Sequence, residues 1–546
     1  MTTITKILIG VLAICMLLSL FAACSKKGGT HQKPPANNQQ NSSNQNSNSN
    51  EEEDWEDDED DWDDEETVDP DANIEMPDII DMGGYIYKAY VRQYAGGDEL
   101  AEQLSYGNNL YKCIDFWIDK ENSEEDIISF AVYSRNNRIE SDYNCKIRQV
   151  SSNGNPVEHL SLAYTNGDTY DLTIISAKPG AQASTQNLLR NINAATYTDL
   201  THPAFDQNSI KELSVQDKLF FISGDMNVST LEVAGLSLTN MEFYADVVDS
   251  VVEAFGGDPM YSNIYNLVTS KKWTMETMMT IAELATIDVD DTDGDYSVID
   301  KGDTIGYHQY LYSTLWYFYS SGGRITTKNE DGIPELTIQK PRNQELANYI
   351  YDHLNSVMSV PNVPNSYSAI LDQNFLTGRT LFMDCSLFEI RTEIYPRAEF
   401  EYGILPCPLY RAGEDYHSLI FFNNWAHLWA IPSMTADLEN AQRMMQIMAV
   451  YSSLHESTMY AYYDRTIYLN AAPDNGSRGV IDMIRRSMVY DIALMYDWGG
   501  LEKMLEKIAV ESSNPYGPAV SGIEARVNPL IEETVEQLRA AADATS

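Results

Sequence analysis

The segment YDLTIISA (170–177) is a short apolar run containing β-branched residues, the pattern of a buried strand that ends in a turn. We predict four elements before it: a strand NLYKCIDFWI (109–118), a helix SEEDIISFAVYSRNNRIESDYN (123–144), a strand CKIRQV (145–150) and a helix around PVEHLSLAYTNG (156–167). Ser123 and the acids after it favour a helix start there. The β-α-β-α-β order predicts a parallel sheet with right-handed crossovers, and therefore an α/β fold.

The carboxyl ends of these strands are where a ligand is expected. In open sheets of this kind, ligands lie beyond that edge. Trp117 and Asp119 come at the end of the first predicted strand, and residues 176–178 follow the last one. We therefore expect these residues at a ligand-facing edge.

A second region, about residues 235–380, is more helical and rich in aromatic residues. Its densest stretch is YHQYLYSTLWYFYSSGGRI (307–325), which ends at a Gly-Gly pair. At helical spacing, Tyr312, Trp316 and Tyr319 share one face. The alternatives are a stripe of core residues and a cleft lining that stacks on flat apolar ligand faces, such as the C–H faces of sugars.

The N-terminus has the pattern of an export signal. An apolar run over residues 7–21 is followed by Ala22 and Ala23, and then by Cys24. The end of this run resembles the lipobox of bacterial lipoproteins, which implies cleavage before Cys24 and its diacylation. The alternative is a single transmembrane anchor, but the run is shorter than the roughly 20 residues a span needs.

The segment after Cys24 has no apolar periodicity. Residues 28–50 are mostly Gly, Pro, Asn, Gln and Ser, and residues 51–66 are acidic apart from two tryptophans. Such a chain cannot bury enough surface to fold. We therefore predict a signal peptide at 1–23 and a lipid-anchored, disordered acidic stalk at 24–80.

Charge and cysteine content limit the partners and the chemistry. The chain has 82 acidic residues against 36 basic ones, a field that disfavours nucleic acid and anionic lipid surfaces. Cys24 is then the one expected membrane contact. Four cysteines remain in the body, for which the alternatives are disulfides within couples and buried free thiols; these are Cys113, Cys145, Cys385 and Cys407.

One acidic segment, DVDDTDGDYSVIDKGDTIGY (288–307), resembles an EF-hand or dockerin-type calcium loop. The oxygen ligands that this resemblance implies are Asp291, Asp293, Asp295, Asp300 and Asp303. The pattern departs from the loop at Val289, which falls on the first ligand position. The alternatives are a structural Ca²⁺ site, with no other cofactor required, and a solvated acidic turn.

Four segments in the body carry a family resemblance through their order and spacing. They are LFFISGD (219–225), FLTGRTLFMDCSLFEI (375–390), EYGILPCPLY (401–410) and NNWAHLWAIPSMTADLENAQRMMQIM (423–448). Together they resemble the family 1 extracellular solute-binding proteins, the maltose-binding-like group. The likeness covers most of residues 105–460, while VYDIALMYDWGG (489–500) resembles only a subgroup of long Gram-positive lipoproteins.

The resemblance implies a two-lobed clamp of the periplasmic-binding-protein type, each lobe a mainly parallel sheet flanked by helices. Lobe 1 is expected at 81–225 with part of 428–480, and lobe 2 at 226–427 with part of 481–546. The hinge is expected at the crossings near 222–230 and 424–430, where Gly224 suits the first.

The same resemblance implies residues that bind the ligand. Trp425 lies where the family often places a cleft-lining aromatic, beside Asn423 and Asn424, whose amides suit sugar hydroxyls. Phe388 lies where relatives stack an aromatic on sugar. Asp225 is either a cleft carboxylate or an ordinary turn residue, and core packing is the alternative for Trp425.

The function implied is capture of a carbohydrate, an oligosaccharide, for an ABC importer, by a monomer anchored on the outer face of the cell membrane. Its partners are the sugar and the permease subunits. No GxSxG, HExxH, P-loop or GxGxxG motif occurs, so we expect no enzyme. The alternatives are a polysaccharide-binding adhesin or sensor component, and a surface glycosidase.

Overall fold

The computed structural model describes residues 70–92, 113–152, 154–287, 303–310, 312–355, 359–360, 374–420, 426–472, 474–509 and 511–544. They belong to one compact unit, Val68–Ser546. The predicted signal peptide, and residues 24–69 of the predicted stalk with Cys24, lie outside the described residues.

The strands, in chain order, are β1 (Tyr85–Arg92), β2 (Cys145–Ser152), β3 (Leu172–Ser176), β4 (Gly235–Asn240), β5 (Ile305–His308), β6 (Thr326–Lys328), β7 (Pro334–Leu336), β8 (Ser359–Val360), β9 (Thr380–Ser386), β10 (Tyr402–Pro406), β11 (Ser418–Leu419), β12 (His427–Ala430) and β13 (Met488–Val489).

The α-helices, in chain order, are α1 (Ile127–Asp142), α2 (Pro156–Asn166), α3 (Ala177–Thr185), α4 (Gln207–Leu213), α5 (Met241–Ala254), α6 (Ile264–Thr269), α7 (Met275–Ala285), α8 (Ser313–Ser320), α9 (Pro341–Leu354), α10 (Leu387–Glu389), α11 (Leu438–Ser453), α12 (Thr458–Tyr460), α13 (Asn475–Arg486), α14 (Ile492–Tyr496), α15 (Leu501–Glu506), α16 (Tyr516–Val520) and α17 (Ile523–Ala544). Short 3₁₀ segments lie at Ile192–Ala194, Val228–Val233, Pro259–Ser262 and Trp498–Gly500, and π-helical turns at Ile390–Ile394 and Ala461–Ala471.

The first sheet has the strand order β12-β3-β1-β2. β1 pairs in parallel with both β2 and β3, while β12 pairs antiparallel with β3. Helix α1 packs on β2, α3 on β3 and α11 on β1. All five residues of β3 are buried, as its unbroken apolar run predicts.

The second sheet has the order β10-β4-β9-β5-β8. β5 pairs in parallel with β8 and β9, but β4 pairs antiparallel with β9 and with β10. The sheet is thus mixed where mainly parallel pairing was expected, because β4, the strand by which the chain enters it, runs against both of its neighbours. Helices α5, α7 and α13 pack on this sheet. The α/β fold with two helix-flanked sheets is confirmed.

The first strand was predicted in the wrong place. β1 is YIYKAYVR (85–92), and the described part of the predicted strand, 113–118, contains no strand. The helix predicted from Ser123 begins at Ile127 instead. Its N-cap is Asp126, whose carboxylate accepts the N–H groups of Ile128 and Ser129 at 2.8 and 2.9 Å.

The buried core is one cluster that takes side chains from both sheets, among them Tyr87, Ile174, Leu238 and Met383. The four body cysteines are buried free thiols. Burial raises the pKa of the Cys145 thiol to about 11, which keeps it protonated. No helix among the described residues has the length and apolarity to cross a membrane.

Candidate functional site

Two chain segments connect the sheets and run side by side. The first crossing is residues 222–234, and the second is residues 420–430, of which 421–425 lie outside the described residues. Ile222 and Trp429 exchange two backbone hydrogen bonds of 2.9 Å, and Ala234 forms an antiparallel bridge to Ile420. The crossings therefore lie together at both of their ends.

Side chains of the first crossing hold the second. The carbonyl of His427 accepts the Asn227 amide at 2.5 Å and also the hydroxyl of Thr230. His427 is fully buried, and desolvation lowers its pKa to about 3, so the imidazole is neutral at physiological pH.

Gly224, predicted as a hinge glycine, lies where no larger residue fits without a steric clash. A Cβ at this position would collide with the backbone carbonyl oxygen of Ala204. The segments meet because Phe205 and Gly224 form a bridge, in which the amide of Asp225 donates to Ala204 at 2.8 Å. The glycine is required here for close backbone approach.

An aromatic group lies beyond the carboxyl ends of β5 and β9; we define it as Tyr310, Tyr312, Trp316 and Phe388. The rings of Tyr310 and Trp316 are stacked with centroids 5.2 Å apart, and Tyr312 meets both edge-on at 5.3 and 6.1 Å. Tyr312 and Phe388 are half-buried, while Trp316 is 3% exposed.

The aromatic group adjoins the first crossing. Gly235, the residue after that crossing, lies so close to the Trp316 indole that a Cβ there would overlap the ring. On the other side, Arg391 binds Glu232 of the crossing through two hydrogen bonds of 2.5 and 3.0 Å. The Arg391 guanidinium lies 5.8 Å from the centroid of the Phe388 ring.

Glu389 connects the loop after β5, which carries Tyr310, to the end of β9. Its carboxylate closes a capping box with Ser386 at the end of β9, accepting the Ser386 amide at 2.8 Å. Its other oxygen accepts the Tyr310 hydroxyl at 3.4 Å. This carboxylate therefore holds the loop after β5 against the loop after β9.

Trp117 is on the first-sheet side, in a segment that is also anchored to the crossing. Its neighbour Asp115 accepts the backbone amide of Ser229 at 2.9 Å. Arg135 donates to the carbonyls of Asp115 and Phe116 at 2.8 and 2.9 Å. Trp117 is half-buried, with its ligand role still a prediction.

Asp225 lies elsewhere. Its carboxylate pairs with Arg485 of α13 at 2.8 Å, in a cavity of about 310 Å³ that none of the aromatic group lines. Burial raises the pKa of Asp225, while the Arg485 charge works against that shift. The structure gives Asp225 a partner in the C-terminal region, and its ligand role remains a prediction.

The remaining predicted site residues lie outside the described residues, except Asp303 of the predicted calcium ligands. Asn423, Asn424 and Trp425 belong to the undescribed part of the second crossing, as do Asp291, Asp293, Asp295 and Asp300 to the undescribed stretch 288–302. Asp303 is described and buried. Among the described residues, no group of three or more His, Cys, Asp or Glu side chains has the arrangement of a metal site.

The C-terminal helices contact both sides of the site, which the sequence did not indicate. Lys178, just after β3, forms an ion pair with the buried Glu502 of α15. In the same helix, the carbonyl of Leu505 accepts the hydroxyl of Thr314, at the start of α8, at 2.5 Å. Helix α15 therefore links the carboxyl edge of β3 to the helix that carries Trp316.

No protein-family model and no curated protein matches the chain. Solved structures do match, at low identity. An ABC substrate-binding protein from Listeria monocytogenes in complex with cycloalternan is 13% identical, with a TM-score of 0.46 over 82% of this chain and 99% of its own.

Two more solved structures are similar to the same extent. A cyclo/maltodextrin-binding protein complexed with maltotetraose is 12% identical, with a TM-score of 0.48 over 84% of this chain and 98% of its own. The galacto-N-biose-/lacto-N-biose I-binding protein of an ABC transporter from Bifidobacterium longum, in complex with lacto-N-biose, is 10% identical, with a TM-score of 0.49 and the same coverages.

Proposed function

We propose that this protein binds a carbohydrate, an oligosaccharide, between its two sheets and presents it to the permease subunits of an ABC importer. The observation that carries the proposal is the position of the aromatic group, directly beside the first of the two crossings that join the sheets. A ligand bound there lies next to the chain segment that leads from the first sheet to the second. Capture is binding and closure, with no bond made or broken.

The chemistry of the aromatic group suits a sugar. Aromatic rings offer a large contact area to C–H faces, and Tyr and Trp add a polar group at the edge. In the described part of the chain, the Trp316 indole N–H is buried and has no hydrogen-bond acceptor. A buried donor without an acceptor costs about 1–3 kcal/mol, and a ligand hydroxyl oxygen would remove that cost.

Closure follows from differential contact. A ligand stabilises the closed form only if it touches more protein there than in the open form. A site between two sheets joined by paired crossings meets this condition through a hinge motion. The closed, loaded form is then the species that a permease distinguishes from the open one.

We further propose that Cys24 carries the lipid anchor and that the protein acts on the outer face of the cell membrane. The support is the apolar run 7–21 with small residues before Cys24. Two acyl chains anchor stably, whereas one binds only reversibly. Replacing Cys24 with Ser should move the protein from the membrane fraction to the medium or leave it as an unprocessed precursor, and unchanged lipid labelling would refute the anchor.

The test of the binding site uses matched aromatic variants. Y312A and F388A should weaken oligosaccharide binding by tenfold or more, measured by tryptophan fluorescence or calorimetry. The controls are Y164A and F130A, which remove exposed rings from α2 and α1 and should bind like wild type. W316F keeps a ring but removes the N–H, so it should lose affinity if that donor meets the ligand.

Three outcomes would contradict the proposal. Wild-type affinity in Y312A and F388A would refute the aromatic site. Product release from the sugar would replace capture with hydrolysis. Binding to long polymers, with no change of shape in solution scattering, would favour an adhesin.

A further inference from the structure

A second cavity, of about 300 Å³, has more basic than acidic residues in its lining, in a chain whose acidic residues outnumber its basic ones. It lies between α4, which precedes the first crossing, β6, which follows it, and residues 490–492 of the C-terminal region. Small-ligand sites begin at roughly this volume. None of the aromatic group lines it, so it is a separate site.

Three cations line this cavity, Lys211, Arg324 and Lys328, against two acids, Glu212 and Asp491, so its lining carries a net charge of +1. The Lys328 ammonium donates to the carbonyl of Lys211 at 2.5 Å. Arg324 donates to the carbonyls of Gly323 and Tyr319 at 2.7 and 3.4 Å. These contacts are to neutral backbone oxygens.

The two acids in the cavity accept hydrogen bonds from neighbouring groups. Asp491 accepts five hydrogen bonds, from the Tyr319 hydroxyl (2.7 Å), the amides of Ile325 (2.9 Å), Thr326 (3.3 Å) and Ala493 (3.0 Å), and the hydroxyl of Thr326 (2.9 Å). A carboxylate has about four lone-pair positions, so Asp491 has none left to accept from the cations, although its charge still acts on Lys328. Glu212 accepts the amide of Tyr490 at 2.6 Å.

The negative charge of the whole chain does not cancel this local excess. At physiological ionic strength, charges beyond about 8 Å are largely screened, so the nearest groups set the potential in the cavity. Burial lowers the pKa of Lys328 to about 8, with Glu212 acting in the opposite direction. An anion beside this ammonium would raise that pKa again.

We propose that this cavity binds a tetrahedral oxyanion, phosphate or sulfate, either free or as the ester group of a small sugar. One Arg and two Lys supply charge-assisted donors, the strongest class of hydrogen bond to such anions. The bound anion would touch α4, β6 and the C-terminal region at once. It would therefore stabilise the contact between chain segments on both sides of the first crossing.

The experiment is calorimetric titration of the full chain in mild detergent with sodium phosphate, sodium sulfate or glucose 6-phosphate, with chloride at matched ionic strength as reference. We expect saturable binding of at least one of these, and a rise in melting temperature that chloride does not give. Binding of the ester but neither free ion assigns the source as a sugar phosphate, and binding of a free ion assigns it as inorganic.

The variants decide whether the cavity is responsible. K211Q removes an exposed ammonium that has no hydrogen bond to the described residues, so it should fold normally and weaken binding by about tenfold or more. K120Q makes the same charge change at an exposed site elsewhere and should bind like wild type. Equal affinity in K211Q and wild type, or no binding beyond chloride, would overturn the proposal.

The anion site and the sugar site fail independently. Y312A should leave phosphate binding unchanged, and K211Q should leave the aromatic group intact. Loss of anion binding in Y312A would mean that the anion binds at the aromatic group, which would also overturn the proposal.

Discussion

Asp384, in the middle of β9, is a buried carboxylate whose effect on stability can be calculated and tested. It accepts hydroxyl hydrogen bonds from Ser237 (2.6 Å), Ser313 (2.5 Å), Tyr307 (2.5 Å) and Tyr317 (3.0 Å). Desolvation raises its pKa from 3.8 to about 6, against the opposing effect of those hydrogen bonds. The folded state therefore binds this proton more tightly than the unfolded chain does.

The sign and size of the effect follow from linkage. Because the folded pKa is the higher one, the contribution to stability is fully present below about pH 4 and is lost as the pH rises through 6. A shift of about 2 units corresponds to roughly 3 kcal/mol in total. Between pH 5 and pH 7 the expected loss from this group is about 1 kcal/mol.

The variant D384N removes the titration. Its free energy of unfolding, from urea denaturation followed by circular dichroism, should fall about 1 kcal/mol less than that of wild type between pH 5 and pH 7. The control D352N, at an exposed site on α9, should keep the wild-type dependence. Parallel pH curves for D384N and wild type would refute a raised pKa at Asp384.

Three other changes have expected outcomes. G224A places a Cβ against a backbone oxygen and should lower the free energy of unfolding by about 1–3 kcal/mol, whereas G479A, in a helix with open space around it, should raise it by about 0.5–1 kcal/mol. K178Q leaves the buried Glu502 without its ion pair and should lower the free energy of unfolding by about 2 kcal/mol at pH 7. Adding E502Q should recover part of this loss, and equal stability of K178Q and the double variant K178Q/E502Q would contradict the reasoning. For the acidic segment 288–307 we propose a calcium site: calcium should raise the melting temperature and EDTA should reverse it, and no shift would leave a solvated turn.

The periodic elements could be predicted from sequence where the pattern is local. Helix α2 and strand β3 were predicted close to their observed bounds. Asn155 and Pro156 begin α2 and Gly167 ends it, while β3 is an uninterrupted apolar run. β1 was missed, since YIYKAYVR mixes polar and aromatic residues and becomes central only by pairing with β2 and β3, which are distant in sequence.

The site was predictable in part. Tyr312 and Trp316 were singled out from sequence, and their rings lie edge-on with centroids 6.1 Å apart, while their ligand role and that of Phe388 stay predictions. The contacts that hold them are long-range: Glu389 to Tyr310, and Arg391 to Glu232, separated by 159 residues. No periodicity indicates such a pairing. The link from Lys178 to Glu502 was missed for the same reason.

The central claim is carbohydrate capture, and calorimetric titration of the full chain with a panel of neutral mono- and oligosaccharides, with peptides as a separate arm, tests it most directly. We predict one saturable site for an oligosaccharide, with a negative heat-capacity change as the aromatic group is covered. Binding to a peptide and to no sugar in the panel would contradict the claim.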